Sequence, residues 1–508
     1  MGQRDIGYKK AFKGTALFGG VQIFQILITL VRGKIVALFL GPEGMGISGL
    51  YTSSLAMLIT IAGLGCSLSA VRYISSLERE SEEYYKQINI TKKIFFGVAL
   101  FGLALTLLFA IPLSVFTFQN KRHALSYLFL SLYVFFSLYN QGQGSILQAM
   151  QELKAIAIGN VLPAFVALVV SVPLYYFFRI RAIIPVLVIL PLACSIYMQV
   201  VIESKLRQSE LSKTKASKEE IWSTFREFVG LGLVTVLTTL LANLTVYLMN
   251  AFISRTGSFS DIGLFNAGTS ITNQYIGLVF SAMAVDYFPR LVSVCNDRDK
   301  MNEIVNNQGE VILLLGLPLL SVMMLTAPIC IKILLSDEFL VINSFIRIVA
   351  YGMVFKITSF CMGYISFAKG DKKTYLFLEG FFCNALSLAF NCLGYHFMGL
   401  KGLAISFCAI YIVYLFLISF FTKFKYGFSM ARSFFMLIVG ATLAVSVLLL
   451  LTDVLVQNPL AIGASVLLTA AICAYSFIQL NAKIKLIDSL KRKARKLLGV
   501  KSDSGATE

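Results

Sequence analysis

The sequence predicts an all-α polytopic membrane protein. We expect about fourteen transmembrane helices, arranged as two six-helix lobes in a parallel repeat around a central cavity, with two extra C-terminal helices. Three observations predict this. Thirteen charge-free runs of eighteen or more residues recur along the 508-residue chain, and a fourteenth run, 341–367, is interrupted only by Arg347 and Lys356. Loops between the runs alternate in basic content. Short motifs recur 214 to 217 residues apart.

The hydrophobic runs set the class. A hydrocarbon core of about 30 Å takes about 20 apolar residues as a helix. Charged residues make up 14% of the chain, against about 25% in a soluble one, and the mean hydropathy is +0.79. The spans are placed at 14–40, 44–71, 94–118, 124–148, 155–178, 182–202, 228–253, 262–285, 310–334, 343–367, 374–397, 402–422, 432–452 and 459–481. The first run is too long for a signal-peptide core and has no small-residue cleavage site, so it reads as a span.

The loops orient the spans. Arg72, Arg79 and Lys86, then Lys205 to Arg226, then Arg290, Arg298 and Lys300, then Lys369, Lys372 and Lys373 fall on the side of the N-terminus and the tail. The positive-inside rule makes that side cytoplasmic, so both termini are expected in the cytoplasm. The same rule accounts for the net charge of +18, so no nucleic-acid partner is expected. Nine cysteines without a CxxC pair and only two histidines point to neither a disulfide framework nor a metal site. The tail at 483–508 is basic and amphipathic, suited to anionic lipid.

The repeat divides the chain. Phe39–Tyr51, FLGPEGMGISGLY, has its counterpart in Gly257–Gly268, with Gly46 opposite Gly263. Ala70-Val71-Arg72-Tyr73 matches Ala284-Val285-Asp286-Tyr287. Six spans separate the copies, so both halves share one orientation. The expected division is an N-terminal lobe at 1–218, a C-terminal lobe at 219–425, two additional spans at 426–482, and the tail.

Polar residues inside the spans mark the interior. Gln22, Gln25, Thr29 and Arg32 share one face of span one. Thr239, Asn243, Tyr247 and Asn250 share a face of span seven, and Asn266, Ser270, Asn273, Gly277 and Ser281 a face of span eight. Such residues glue helices together or line a wet cavity; the pattern of faces favours the cavity. Lys34 and Arg347 lie near the outer boundary, where long side chains reach water. Lys356 sits mid-span, where a charge is costly unless it faces protein or a cavity. Fixed cations in a low-dielectric wall attract phosphate. On these grounds Arg32 and Lys356 are the candidate anion-binding residues, while Arg72, at the cytoplasmic end of span two, suits an anchor and stands opposite Asp286 in the repeat.

Four segments carry a family resemblance: Ala284–Leu320 (AVDYFPRLVSVCNDRDKMNEIVNNQGEVILLLGLPLL), FLGPEGMGISGLY, SDEFL at Ser336–Leu340 and FAKGDKK at Phe367–Lys373. In order and spacing they resemble bacterial O-antigen translocases, in the polysaccharide transporter branch of the multidrug/oligosaccharidyl-lipid/polysaccharide exporter superfamily. The resemblance implies an inner-membrane flippase that moves undecaprenyl-diphosphate-linked oligosaccharide from the cytoplasmic to the periplasmic leaflet. It also implies two lobes in a V and cavity cations on the diphosphate. By matching position those are Arg32 and Arg72; Lys356 comes from the residues alone. Met249 stands opposite Arg32 at the 217 spacing, so the second half lacks that cation.

No GxxxxGK[ST] phosphate loop is present, since Gly33-Lys34 is followed by Ile35. No cofactor is expected, and transport would draw on an H+ or Na+ gradient or on consumption of the product. Asp286 and Glu379 are the candidate coupling carboxylates. Expected partners are the lipid-linked oligosaccharide, membrane lipids and glycan polymerase machinery, with a monomer as the working unit. The rival readings are a small-molecule exporter of the drug branch, for which acidic cavity residues would be required, and a membrane glycan polymerase or glycosyltransferase, for which the loops are too short.

Overall fold

The computed structural model describes residues 3–207, 217–454 and 458–484, with the side chains of 3–26, 153, 231–235, 278–279, 281–286, 454 and 484 left out. The described residues are helical apart from short connections, with no strand among them. Hydrocarbon imposes this, because a helix satisfies every backbone donor and acceptor within its own segment. Nine helical stretches among the described residues are long and apolar enough to cross a membrane.

Several stretches join spans that the sequence reading separates. Helix α1, Gln3–Gly63, runs through predicted spans one and most of two. It kinks at Gly41, whose φ of 62° is open to glycine, and Pro42 follows. Helix α2, Cys66–Ser76, follows Gly65 in a left-handed conformation, which ends α1 inside predicted span two. Helices α3 (Glu82–Phe118), α4 (Ala124–Ala149), α5 (Leu153–Phe178) and α6 (Ile183–Leu206) follow. Ser81 caps α3 by accepting from Tyr84 N. Helix α7 (Lys218–Thr256) opens on a capping box of Ser217 and Glu220. Glu220 also pairs with Lys86 at 2.5 Å, which ties α7 to α3.

Helices α8 (Phe259–Val294), α9 (Arg298–Leu334) and α10 (Asn343–Ala368) come next. Helix α11 (Lys372–Tyr375) passes through a wide π segment, Leu376–Phe382, into α12 (Cys383–Tyr426), which kinks at Gly399. Helices α13 (Arg432–Leu449) and α14 (Pro459–Ile484) complete the described chain.

Packing groups the residues into two compact units. The first holds 1–267, 331–341 and 376–392; the second holds 268–330, 342–375 and 393–508. In the first unit Ile74, Tyr84, Ile88, Ile146, Met198 and Ile202 form an apolar cluster joining α2, α3, α4 and α6.

The sequence repeat becomes a reciprocal contact in this unit. A Cβ on Gly46 would lie 1.8 Å from the Phe259 carbonyl oxygen, and one on Gly263 would lie 1.8 Å from that of Pro42. Pro42 and Gly46 are four residues apart, as are Phe259 and Gly263, and the two pairs are related by the 217 offset. Only glycine lets the α1 and α8 backbones approach so closely.

In the second unit two ion pairs attach the last helices. Arg347 of α10 lies 3.8 Å from Asp453, just after α13, and Lys483 of α14 pairs with Glu310 of α9. Glu310 is buried, and nothing in the hydropathy pattern marked it as a tie for α14.

Candidate functional site

The three cations named from the sequence have different surroundings. Arg32, in α1, is half-buried and lies near the hydroxyl of Tyr175 on α5, with Tyr133 of α4 also close enough to feel its charge. Tyr175 itself is buried. The guanidinium thus has tyrosines as neighbours inside the first unit. Among the described residues it forms no ion pair, so its charge is not spent on a carboxylate. Arg72 is exposed on α2.

Lys356 sits in the second unit, half-buried on α10. Its Nζ lies 3.4 Å from the Asn273 Oδ1 of α8, and 5.7 and 5.3 Å from the ring centres of Phe407 and Tyr411 on α12. Ring faces are electron-rich and attract an ammonium. Asn273 and Lys356 were singled out on separate grounds, and the fold brings them together. Phe407 and Tyr411 were not singled out; their spacing of four within span twelve was the available signal. Gly352 does not bend α10, which runs unbroken. Instead it lets Phe407 and Cys408 pack against that helix, since a Cβ there would meet Phe407 at 2.7 Å.

The two cations that position assigned to the membrane boundary have protein partners. Lys34 donates to the Lys332 carbonyl at 2.6 Å and to that of Leu335, so it caps the C-terminus of α9. Arg347 is 4% exposed, donates to the carbonyls of Met324 and Thr452, and faces Asp453. The expectation that Arg347 reaches water is corrected: a carboxylate and two carbonyls enclose it.

The polar face of α7 is committed to neighbouring helices. Asn243 donates to Thr60 Oγ1 at 2.8 Å, Asn250 to Ser53 Oγ at 3.2 Å, and the Tyr247 hydroxyl meets Thr117 at 2.8 Å. Asn250 is buried; Asn243 is half-buried beside a cleft of about 260 Å³. That cleft is lined by Thr60, Ser67, Gln141 and Thr239, among others. Gln141 and Ser67 lie 3.4 Å apart and were not anticipated, although Gln141-Gly142-Gln143-Gly144 is a polar interruption of span four.

Asn266 packs against Gly49, and Thr29 is exposed on α1. Glu379 is half-buried within the π segment. The side chains of Gln22, Gln25 and Asp286 lie outside the described residues, as does nearly all of the basic tail. Among the described residues no cluster of His, Cys, Asp and Glu is arranged to hold a metal.

The profile of the family described as "Polysaccharide biosynthesis protein" matches residues 11–295, more than half of the chain. The chain belongs to that family. The lipid III flippases of Escherichia coli K12 and Shigella flexneri are each 24% identical to it over 399 residues, covering 76% of this chain and 91% of theirs. The fold is that of known transporters. An inward closed structure of the lipid II flippase MurJ superposes with a TM-score of 0.69 over 92% of this chain and 99% of its own, at 15% identity. An inward-facing MATE-family multidrug transporter of the MOP superfamily gives 0.62 over 79% and 96%, at 18% identity. These likenesses establish a helical, multi-pass membrane protein of the MurJ and MATE fold.

Proposed function

We propose that this protein is a flippase that moves an undecaprenyl-diphosphate-linked oligosaccharide across the inner membrane, from the cytoplasmic to the periplasmic leaflet. The observation that carries the proposal is Arg32, a half-buried guanidinium inside a long apolar helix, with tyrosines near it and no ion pair among the described residues. Its charge and its fork of donors are suited to a diphosphate. The family and the curated relatives named as flippases support a lipid-linked glycan over a cationic drug.

In the proposed cycle Arg32 and Arg72 take the diphosphate from the first unit, and Lys356 with Asn273 is the cationic group of the second. The lobes at 1–218 and 219–425, crossing the membrane twelve times with two further spans at 426–482, would alternate access. The close approach of Gly46 and Gly263, on the side opposite the basic loops, would have to part for release outward. Both termini would be cytoplasmic. We further propose a carrier without catalytic chemistry, working as a monomer beside the glycan polymerase. It would be driven by an H+ or Na+ gradient or by use of its product, with Asp286 and Glu379 as candidate coupling groups.

Loss of the gene should strand lipid-linked repeat units on the cytoplasmic leaflet, measured by their accessibility in everted vesicles. Arg32→Gln should reproduce that accumulation while melting with the wild type. Unaltered surface glycan and no accumulation in the deletion strain would overturn the reading.

A further inference from the structure

The second unit contains an apolar groove that the proposed transport cycle does not use. It encloses about 630 Å³ between α10, the second half of α12 and α13, with the 428–430 turn at one end. Phe355 forms part of its floor. Leu415 and Phe416 of α12 face Val439 and Leu443 of α13 across it, and Phe416, Val439 and Leu443 are exposed. The walls thus open sideways, toward the surroundings of the helices.

The groove has one charged end. Lys423, near the C-terminus of α12, lines it there, and Arg432, the first residue of α13, is exposed beside the same turn. Among the described residues neither forms an ion pair. Lys425, two residues on, is engaged by Asp371 at 2.7 Å.

The turn between the helices is firmly held. Gly427 adopts φ of 70° and closes α12 by donating to the Lys423 carbonyl. Arg298 donates to the Gly427 carbonyl at 2.8 Å, and Asn306 bonds Ser429 and Ala431 at 2.9 and 2.8 Å. The charged end is therefore built onto α9.

Length and charge select the occupant. From Ile412 to Lys423 the α12 wall rises about 16 Å, at about 1.5 Å per residue, which is close to half of a bilayer core of about 30 Å. A groove one leaflet deep accepts one acyl chain of a glycerophospholipid; a polyprenyl tail outruns it. The positive-inside rule puts Lys423 and Arg432 at the cytoplasmic surface, where the anionic lipids are. We propose that this groove binds one anionic glycerophospholipid, with an acyl chain between α12 and α13 and the phosphate on Lys423 and Arg432.

Native mass spectrometry of the full chain, titrated with phosphatidylglycerol and with phosphatidylethanolamine of the same chains, tests this. One phosphatidylglycerol should bind in preference to phosphatidylethanolamine. Lys423→Gln should lower the affinity for it about fivefold, the worth of one cation near a headgroup. Adding Arg432→Gln should bring the two lipids level. Thr442→Trp, which fills the groove without touching its charge, should abolish the bound phosphatidylglycerol while the Lys423→Gln variant still binds both lipids weakly. Matching melting temperatures would show that each variant is folded. Equal binding of the two lipids by the wild type, full binding by Thr442→Trp, or displacement of phosphatidylglycerol by equimolar undecaprenyl phosphate would each overturn the proposal.

Discussion

Helix α10 carries two cations nine residues apart, and they have opposite surroundings. Arg347 is enclosed by Asp453 and by the carbonyls of Met324 and Thr452. Lys356, on the other side of the helix, is half-buried beside Asn273 and the rings of Phe407 and Tyr411. Depth in the membrane would have ranked them the other way, with the shallow arginine free and the deep lysine constrained. The contrast shows that the partner determines the role of an intramembrane cation. A carboxylate makes a brace of Arg347, whereas Lys356 is set beside an amide oxygen and two ring faces.

Removing the brace should have the largest effect. Arg347→Met leaves the Asp453 charge without its partner and should cost about 3–5 kcal/mol, the range for breaking a buried pair. It should be read as a lower melting temperature of the detergent-solubilised protein. Arg347→Met with Asp453→Leu should recover most of the loss, because an apolar pair carries no desolvation penalty. Lys356→Met should do the reverse. We expect melting within about 1 kcal/mol of the wild type, with flipping of lipid-linked sugar abolished. A transport-competent, unstable Lys356→Met would erase the distinction between the two cations.

The reciprocal glycines come next. Gly46→Val and Gly263→Val each drive a side chain into a backbone carbonyl and should destabilise by about 1–3 kcal/mol. The geometry is symmetric, so the two losses should be similar. A tolerated change at one site alone would break the symmetry argument. Asn273→Ala removes the amide beside Lys356 and should slow transport about fivefold, the rate equivalent of one ordinary hydrogen bond of about 1 kcal/mol.

The smallest effect lies outside the membrane. Asp371 accepts from Lys425, from the Thr374 backbone N–H and hydroxyl, and from the Tyr426 hydroxyl, and these hold its carboxyl well below the ordinary carboxylate range. A native pKa below the unfolded one adds stability above about pH 4 that is lost as pH falls through the lowered value. With Lys425 half exposed, the latch is worth at most about 1 kcal/mol. Asp371→Asn should therefore be slightly less stable than wild type at neutral pH, and the two should converge as the solution becomes strongly acidic.

The helical class, the basic side of the loops and the 217-residue register were legible in the sequence. Each is a local or periodic property: an apolar residue marks a lipid-compatible helix wherever it ends up, and a repeated glycine marks equivalent positions. The register aligned Gly46 with Gly263, and the structure then brings those two backbones together. Tertiary structure alone decided the partners. Those of Arg347 lie 23 and 105 residues away, that of Asn243 lies 183 away, and Glu310 meets Lys483 across 173. No periodicity spans such distances, because electrostatic and hydrogen-bond energies depend on separation in space, and the fold sets that only when the helices pack.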